Sequence, residues 1–332
     1  MKVALNGFGR IGRNFLRAFL EDAQARKKIQ IVALNIGPSN PHFVAHSFKY
    51  DTLLGAYHGT VLIEDNSLVI DGYKIALFTE VDPRRLPWKD LSIEWVVEAT
   101  GKFTKSSDAR LHCQAGAQAV LISAPCEGAD ATIVMGVNED AFLKGRDTVI
   151  SLGSCTTNAL APLLKVVAAE CEIVSAYMTT VHAYTNDQVL LDVEHKSVRR
   201  GRAAALNIIP TSTGASSVVM KLFPELVGKI KGSALRVPVS KVSLVDLSFV
   251  TQKPCTKEQL NAFFKQAQSN LPGILEYTEE PLVSSDFSNN PHSVIVDGLL
   301  TETVGNLNKV FGWYDNEWAY SCRLRDFLVK QG

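Results

Sequence analysis

Through the first half of the chain, short apolar runs alternate with helical patterns. Val3-Ala4-Leu5 is a short strand-like run. Ile11, Phe15 and Phe19 then recur every four residues and give the next segment one apolar face. Further strand patterns fall at 29–34 (IQIVAL), 74–78, 93–98, 119–123, 131–135 and 148–152, with a helix over 106–117. Apolar runs separated by helical stretches predict βαβ units, and hence a largely parallel sheet covered by helices on both faces.

Near residue 155 the pattern changes. A helix at about 156–169 is followed by longer strand-like segments at 172–181, 233–251 and 293–298. Residues 239–249 read V-S-K-V-S-L-V-D-L-S-F, close to the period-two alternation of a sheet with one solvated face. We therefore expect two domains, 1–154 and 155–316, with a helical segment at 317–332 returning to the first. A length of 332 residues fits that division at ~100–200 residues per domain.

Composition narrows the function. The chain is 46% hydrophobic and 20% charged, and its 34 basic residues balance 34 acidic ones. It therefore lacks the basic excess of a nucleic-acid or membrane-surface protein. No apolar run approaches the ~18 residues of a membrane span, and the run at Met1–Asn6 is too short for a signal peptide. The six cysteines include no C-x-x-C pair, so no metal site is predicted, and a cytoplasmic protein with free thiols is expected.

The segment NGFGRIG places Gly7, Gly9 and Gly12 in G-x-G-x-x-G spacing between a strand and an amphipathic helix. In that context the first glycine permits a tight turn and the second lets the backbone approach a pyrophosphate. The third allows close helix–sheet packing. A dinucleotide-binding domain of the Rossmann type follows. The second strand ends Leu34-Asn35-Ile36, without the carboxylate that would bind the adenosine ribose. A 2′-phosphate would meet less repulsion there, and Ser39 or Asn40 could donate to it.

In GSCTTN, Cys155 stands at a helix start, where unpaired N–H groups stabilise a thiolate. From this stretch alone it reads equally well as a small buried residue. His182, in TVHAYTND at the end of the next strand, is the best-placed base, and His195 is its rival. A strand–helix–strand unit would bring the two strand ends to one sheet edge. Lys196, Arg199, Arg200 and Arg202 form a basic run before PTSTGAS, whose hydroxyls and N–H groups suit phosphate. Arg236 is a cation within a strand pattern, a costly placement without an anion partner.

NGFGRIGR, KYDTLLG, LISAP, SCTTN, TVHAYTNDQ, RRGRAAALNIIPTSTGA, LRVPV and WYDNEWAYS run in order over nearly the whole chain. Together they resemble phosphorylating glyceraldehyde-3-phosphate dehydrogenases. The resemblance implies a Rossmann domain plus an α+β catalytic domain with a mixed or antiparallel sheet, in a homotetramer. It implies oxidation of glyceraldehyde 3-phosphate with inorganic phosphate and NAD(P). Cys155 would be the nucleophile and His182 its activator. Ser154, Thr156, Thr213 and Gly214 would hold the attacking phosphate. Thr185, Arg200 and Arg236 would address phosphate groups, mostly that of the substrate. Asn6, Gly7, Gly9, Arg10, Ile11, Gly12, Asn35, Ile36, Ser123, Asn316 and Tyr320 would bind the cofactor.

Departures from the family pattern gather on the adenosine side. Ile36 stands where an aspartate is expected, Val81 where an arginine is, and Val193-Glu194 where Leu-Pro is common in NAD-specific members. They favour NADP or dual use, although Glu194 would add negative charge near a 2′-phosphate. The nearest rival is an erythrose-4-phosphate dehydrogenase, disfavoured by the intact HAYTND. A cysteine hydrolase or thiol transferase would leave the glycine loop and anion residues idle. A non-catalytic binding protein would have no use for Cys155, His182, Arg236 and Asn316 together.

Overall fold

The computed structural model describes residues 1–332. They divide into two compact units, Met1–Ile133, Glu139–Gly153 and Ser321–Gly332 in the first, Val134–Asn138 and Ser154–Tyr320 in the second.

The first unit begins β1 (Lys2–Asn6), α1 (Arg10–Glu21), α2 (Ala23–Lys28), β2 (Gln30–Asn35) and α3 (Pro41–Lys49). A small β3 (Tyr50–Asp51) and β4 (Gly55–Ala56) pair precedes β5 (Val61–Glu64), β6 (Ser67–Ile70) and β7 (Tyr73–Phe78). β8 (Trp95–Glu98), α4 (Ser106–Gln114), β9 (Ala119–Ile122), β10 (Ala131–Thr132) and β11 (Val149–Ser151) follow. Nine strands form one sheet in the order β10-β11-β9-β8-β1-β2-β7-β6-β5. From β10 to β7 every pairing is parallel. Every residue of β8 and β9 is buried, as expected of strands covered on both faces. Phe15 and Phe19, from the apolar stripe of α1, are fully buried.

The sequence reading missed the antiparallel edge made by β5, β6 and β7. Asp65 and Asn66 both take positive φ between β5 and β6, the turn chemistry of a tight hairpin. The 131–135 strand shortens to two residues.

The second unit holds α5 (Cys155–Glu170), β12 (Ile173–Ala183), β13 (Ile209–Thr211), α6 (Ala215–Leu222) and β14 (Ile230–Val237). It continues with β15 (Ser243–Thr251), α7 (Lys257–Asn270), β16 (Leu275–Thr278), β17 (Val294–Asp297), β18 (Glu302–Val304) and β19 (Leu307–Tyr314). The final helix, α8 (Trp318–Gln331), starts here, and its residues from Ser321 belong to the first unit. The sheet order is β13-β14-β12-β15-β19-β17-β16, with β18 on β19. The sheet is mixed: β12–β14 and β16–β17 are parallel and the remaining pairs antiparallel. Along β15 burial alternates strictly, the pattern of a sheet with one covered face.

The expected 233–251 strand is two strands. Pro238 has no N–H for a ladder, and Val242 takes φ 67°, so the chain turns between β14 and β15. The α/β plus α+β class and the parallel first sheet agree with the sequence reading.

Candidate active site

In the first unit, the glycine loop joins β1 to α1. Gly7 takes φ 97°, and a Cβ there would lie 2.7 Å from the Thr100 backbone nitrogen. Only glycine lets this turn pass so close to the residue after β8. Gly9 has open space where a side chain would stand. As N-cap of α1 it contributes no side-chain hydrogen bond. A Cβ on Gly12 would collide with the Gly7 carbonyl. A backbone anion cradle of this kind suits a pyrophosphate.

Asn6 and Asn35 are joined side chain to side chain. Asn35 Nδ2 donates to Asn6 Oδ1 at 2.7 Å, and Asn6 Nδ2 donates to Glu98 Oε2 at 2.5 Å. Trp88 Nε1 donates to His112 Nδ1 at 3.0 Å, which leaves the proton on Nε2, 3.2 Å from Glu98 Oε2. These buried groups tie the ends of β1, β2 and β8 together beneath the loop. Both asparagine side chains thus have partners within the protein. Pairing of like strand ends in a parallel sheet assembles the network, so no short motif announces it.

Arg10 pairs with Asp51, and Arg13 Nε lies 3.5 Å from the same carboxylate. Ile11 and Ser123 are half-buried nearby in the chain fold, at the start of α1 and the end of β9. Ile36 turns inward, only 6% exposed, and its N–H donates to Phe78. Ser39 is exposed, whereas Asn40 caps α3 through His42 N–H. Glu80, missed in the sequence, is joined to Asn35 through its own N–H and carbonyl, and its Oε1 accepts from Val81 and Asp82 N–H. It stands one strand over from the acid that Ile36 replaces.

In the second unit, Cys155 is the first residue of α5 and Ser154 its N-cap. Cys155 Sγ lies 3.5 Å from His182 Nε2. The expected reason for this proximity was wrong. β11 and β12 lie in different sheets, so no single strand–helix–strand unit exists. Instead α5 packs on the second sheet and β12 returns along it, bringing the helix start beside the strand end.

His182 and Arg236 are direct register partners on parallel β12 and β14. Arg236 Nη1 donates to the Ala183 carbonyl at 3.0 Å and lies 2.5 Å from His182 Nδ1. Nδ1 is also 2.7 Å from the Ala183 carbonyl. The ring can thus accept from Arg236 or donate to the carbonyl, and in the second tautomer Nε2 is free to take a proton. Burial, then the Arg236 charge, hold the imidazole down to about 3, so it is neutral at neutral pH. Burial pushes the Cys155 thiol up. Arg236, the Thr156 hydroxyl and N–H, and the Cys155 N–H oppose that rise. The resting pair is a thiol beside a neutral imidazole, with a partly built thiolate site.

Tyr314 carries no role in the sequence reading, though it lies within WYDNEW. Its hydroxyl is 2.8 Å from both Thr156 and Thr180 hydroxyls, and its ring meets His182 edge-on. It comes from β19, two strands from β12, so only the sheet order reveals it. Asn316 Oδ1 accepts from Ser243 Oγ at 3.3 Å, and Ser243 Oγ accepts from Ala183 N–H. Asn316 is thereby linked to the residue after the histidine. Tyr320 is buried, and burial followed by the Cys155 charge raises its hydroxyl well above the ordinary range.

The expected phosphate residues separate into groups. Ser154 Oγ accepts from Thr157 N–H at 3.1 Å, and Thr156 is buried with its hydroxyl on Tyr314. The Thr156 hydroxyl and N–H also lie beside the Cys155 sulfur. Thr213 Oγ1 accepts from Ala215 N–H, and Gly214 is the N-cap of α6. Arg200 bonds Thr211 Oγ1 at 2.9 Å and Asp187 at 2.7 Å, not Thr213. With His195, Lys196 and Ser212 these line a polar cavity of about 270 Å³. His195 Nε2 lies 3.7 Å from Asp187, and the sulfur's ring partner is His182. Thr185 N–H is 3.3 Å from Gln188 Oε1. No cluster of three or more His, Cys, Asp or Glu is arranged to hold a metal ion.

Comparison with known proteins accounts for this combination of cradle and thiol. Residues 1–106 match the family description "Glyceraldehyde 3-phosphate dehydrogenase, NAD binding domain", and residues 154–316 match "Glyceraldehyde 3-phosphate dehydrogenase, C-terminal domain". Glyceraldehyde-3-phosphate dehydrogenase 2 of Bacillus subtilis is 49% identical over 331 residues, 99% of this chain and 96% of that protein. The like-named protein of Streptomyces avermitilis is 47% identical, covering all of this chain and 98% of its own. Glyceraldehyde-3-phosphate dehydrogenase 1 of Bacillus subtilis is 48% identical, covering all of this chain and 99% of its own. The chain belongs to the glyceraldehyde-3-phosphate dehydrogenase family.

Proposed function

We propose that this protein oxidises glyceraldehyde 3-phosphate to 1,3-bisphosphoglycerate, and runs the reverse reaction, through a thioester on Cys155. One observation carries the reading: the sulfur of a half-buried cysteine 3.5 Å from a neutral histidine that an arginine flanks in strand register. His182 Nε2 takes the thiol proton as sulfur adds to the aldehyde carbon and returns it to the carbonyl oxygen, giving a hemithioacetal and a neutral ring. The ring then accepts the hemithioacetal hydroxyl proton as the carbon is oxidised. Arg236 holds the anionic end of the substrate and keeps the imidazole neutral between turnovers. Inorganic phosphate attacks the resulting thioester and the thiolate leaves, a role that cysteine fills better than serine because a thiolate is the better leaving group.

A nicotinamide dinucleotide, bound, supplies the hydride acceptor. Its pyrophosphate suits the Gly7–Gly12 cradle and the α1 N-terminus. Arg10, Ile11 and Ser123 line the cofactor's path in the first unit, and Asn316 is assigned to the nicotinamide amide with Tyr320 beside it. Ser154, Thr156, Thr213 and Gly214 are assigned to inorganic phosphate, and Arg200 and Thr185 to phosphate groups. Dual use of NAD and NADP is the reading we adopt, supported by the inward-turned Ile36 and the exposed Ser39. Steady-state kcat/KM with each cofactor tests it. Values within about tenfold are expected, and a strong preference for NAD contradicts it.

A homotetramer is supported by the apolar side chains left exposed along 190–208. Leu190 is 86% exposed and Val198 87%, and Leu191, Leu206 and Ile208 are also largely uncovered. Such a patch is a burden on an isolated subunit and fits a second copy of the chain. No helix is long and apolar enough to cross a membrane. A cytoplasmic site of action is the location we propose.

A further inference from the structure

The catalytic helix carries a second sulfur at its other end. Cys171 is the C-cap of α5, sixteen residues after Cys155, or about 24 Å along the helix. Cys171 Sγ lies 3.1 Å from Cys255 Sγ, and both residues are half-buried. The fold presents the two sulfurs to each other from fixed backbone on both sides. Cys171 N–H donates to Val167 at the end of α5. Cys255 immediately precedes Thr256, the N-cap of α7, which makes a reciprocal capping box with Gln259. Between them, Ile173 pairs with Thr251, and Gln252 N–H donates to Glu172 at 2.9 Å. None of these groups has a part in the thioester chemistry.

We propose that Cys171 and Cys255 form a redox site separate from the catalytic thiol, a dithiol that closes to a disulfide on reaction with a low-molecular-weight disulfide such as glutathione disulfide. Cys255, beside the N-terminus of α7, loses its proton to solvent and attacks one sulfur of the small disulfide. That S–S bond breaks, a mixed disulfide forms on Cys255, and one small thiolate leaves. Cys171 then attacks the Cys255 sulfur, its proton passes to solvent, and the second small thiolate leaves. The protein loses two electrons and two protons, and the small disulfide becomes two thiols. The order of attack follows from the surroundings. Burial and the hydrogen bond to Cys255 push the Cys171 thiol up, whereas Cys255 stands beside the first turn of α7. The product bridges the end of the catalytic helix to the β15–α7 connection and leaves Cys155 untouched.

The test uses the full chain with Cys155→Ser, which leaves five of the six cysteines. After incubation with glutathione disulfide, titratable thiols should fall from five to three without stable glutathione adducts. Peptide mapping should recover one cross-linked peptide joining 171 and 255, which dithiothreitol abolishes. Cys171→Ala in the same background should instead hold one glutathione on Cys255. The proposal is overturned if thiols stay at five while wild-type Cys155 is modified under the same conditions. It is equally overturned if each cysteine collects its own adduct with no 171–255 cross-link.

Discussion

At the scale of single residues, the site is a neutral pair beside a half-buried cation. Cys155→Ser should abolish turnover while dinucleotide binding, followed by fluorescence titration, is retained; phosphate-dependent turnover in that variant would contradict the thioester. His182→Gln should lower kcat ~10²–10⁴-fold, the usual worth of a positioned base. The ring also links stability to pH. Its folded value of about 3 lies below the ordinary 6.5, so the unfolded chain binds the extra proton between them. The stability that the neutral ring allows is full above about 6.5 and falls as pH drops toward 3. Thermal midpoints of wild type should therefore decline on acidification more steeply than those of His182→Gln. Equal slopes would show that the imidazole is not held neutral by burial. Tyr314→Phe removes the shared partner of two buried threonine hydroxyls, at a cost of about 1–3 kcal/mol in denaturant unfolding.

At the scale of elements, the glycine loop is the part that a single atom disrupts. Gly7→Ala adds a Cβ in a positive-φ turn against Thr100 backbone, so dinucleotide affinity should fall at least tenfold with a loss of about 1 kcal/mol or more in stability. Unchanged affinity by calorimetry would mean that the loop is no cradle. This loop was legible in the sequence because its glycines, strand and helix are contiguous. Cys155 and His182 were legible as residue types, but the reason given for their meeting was not the one the fold uses, since β11 and β12 belong to different sheets. Tyr314, Glu98 and Glu80 escaped notice because neighbouring strands bring them in from distant sequence. Pairing order, not local pattern, decides such contacts. The β5–β6 hairpin was a different case: Asp65-Asn66 was there to be read, and the flanking runs were short.

At the scale of the whole molecule, the chain divides into two units of different design. The first buries both faces of a parallel sheet and ends its strands at a backbone cradle. The second keeps one face of a mixed sheet for the catalytic helix and registers His182 against Arg236. The uncovered leucines between β12 and β13 carry the proposal of a tetramer. Replacing Leu190 and Leu191 by serine should shift sedimentation from tetramer toward smaller species; an unaltered tetramer would place the interface elsewhere. The central claim is that Cys155 and His182 make a thioester that phosphate resolves. Its most direct measurement is reduction of NAD and NADP by the purified protein with glyceraldehyde 3-phosphate, in the presence and absence of inorganic phosphate. We predict sustained turnover only with phosphate, and without it a single burst of reduced cofactor of at most one equivalent per Cys155. Sustained turnover that is indifferent to phosphate, or none with phosphate present, would contradict the account.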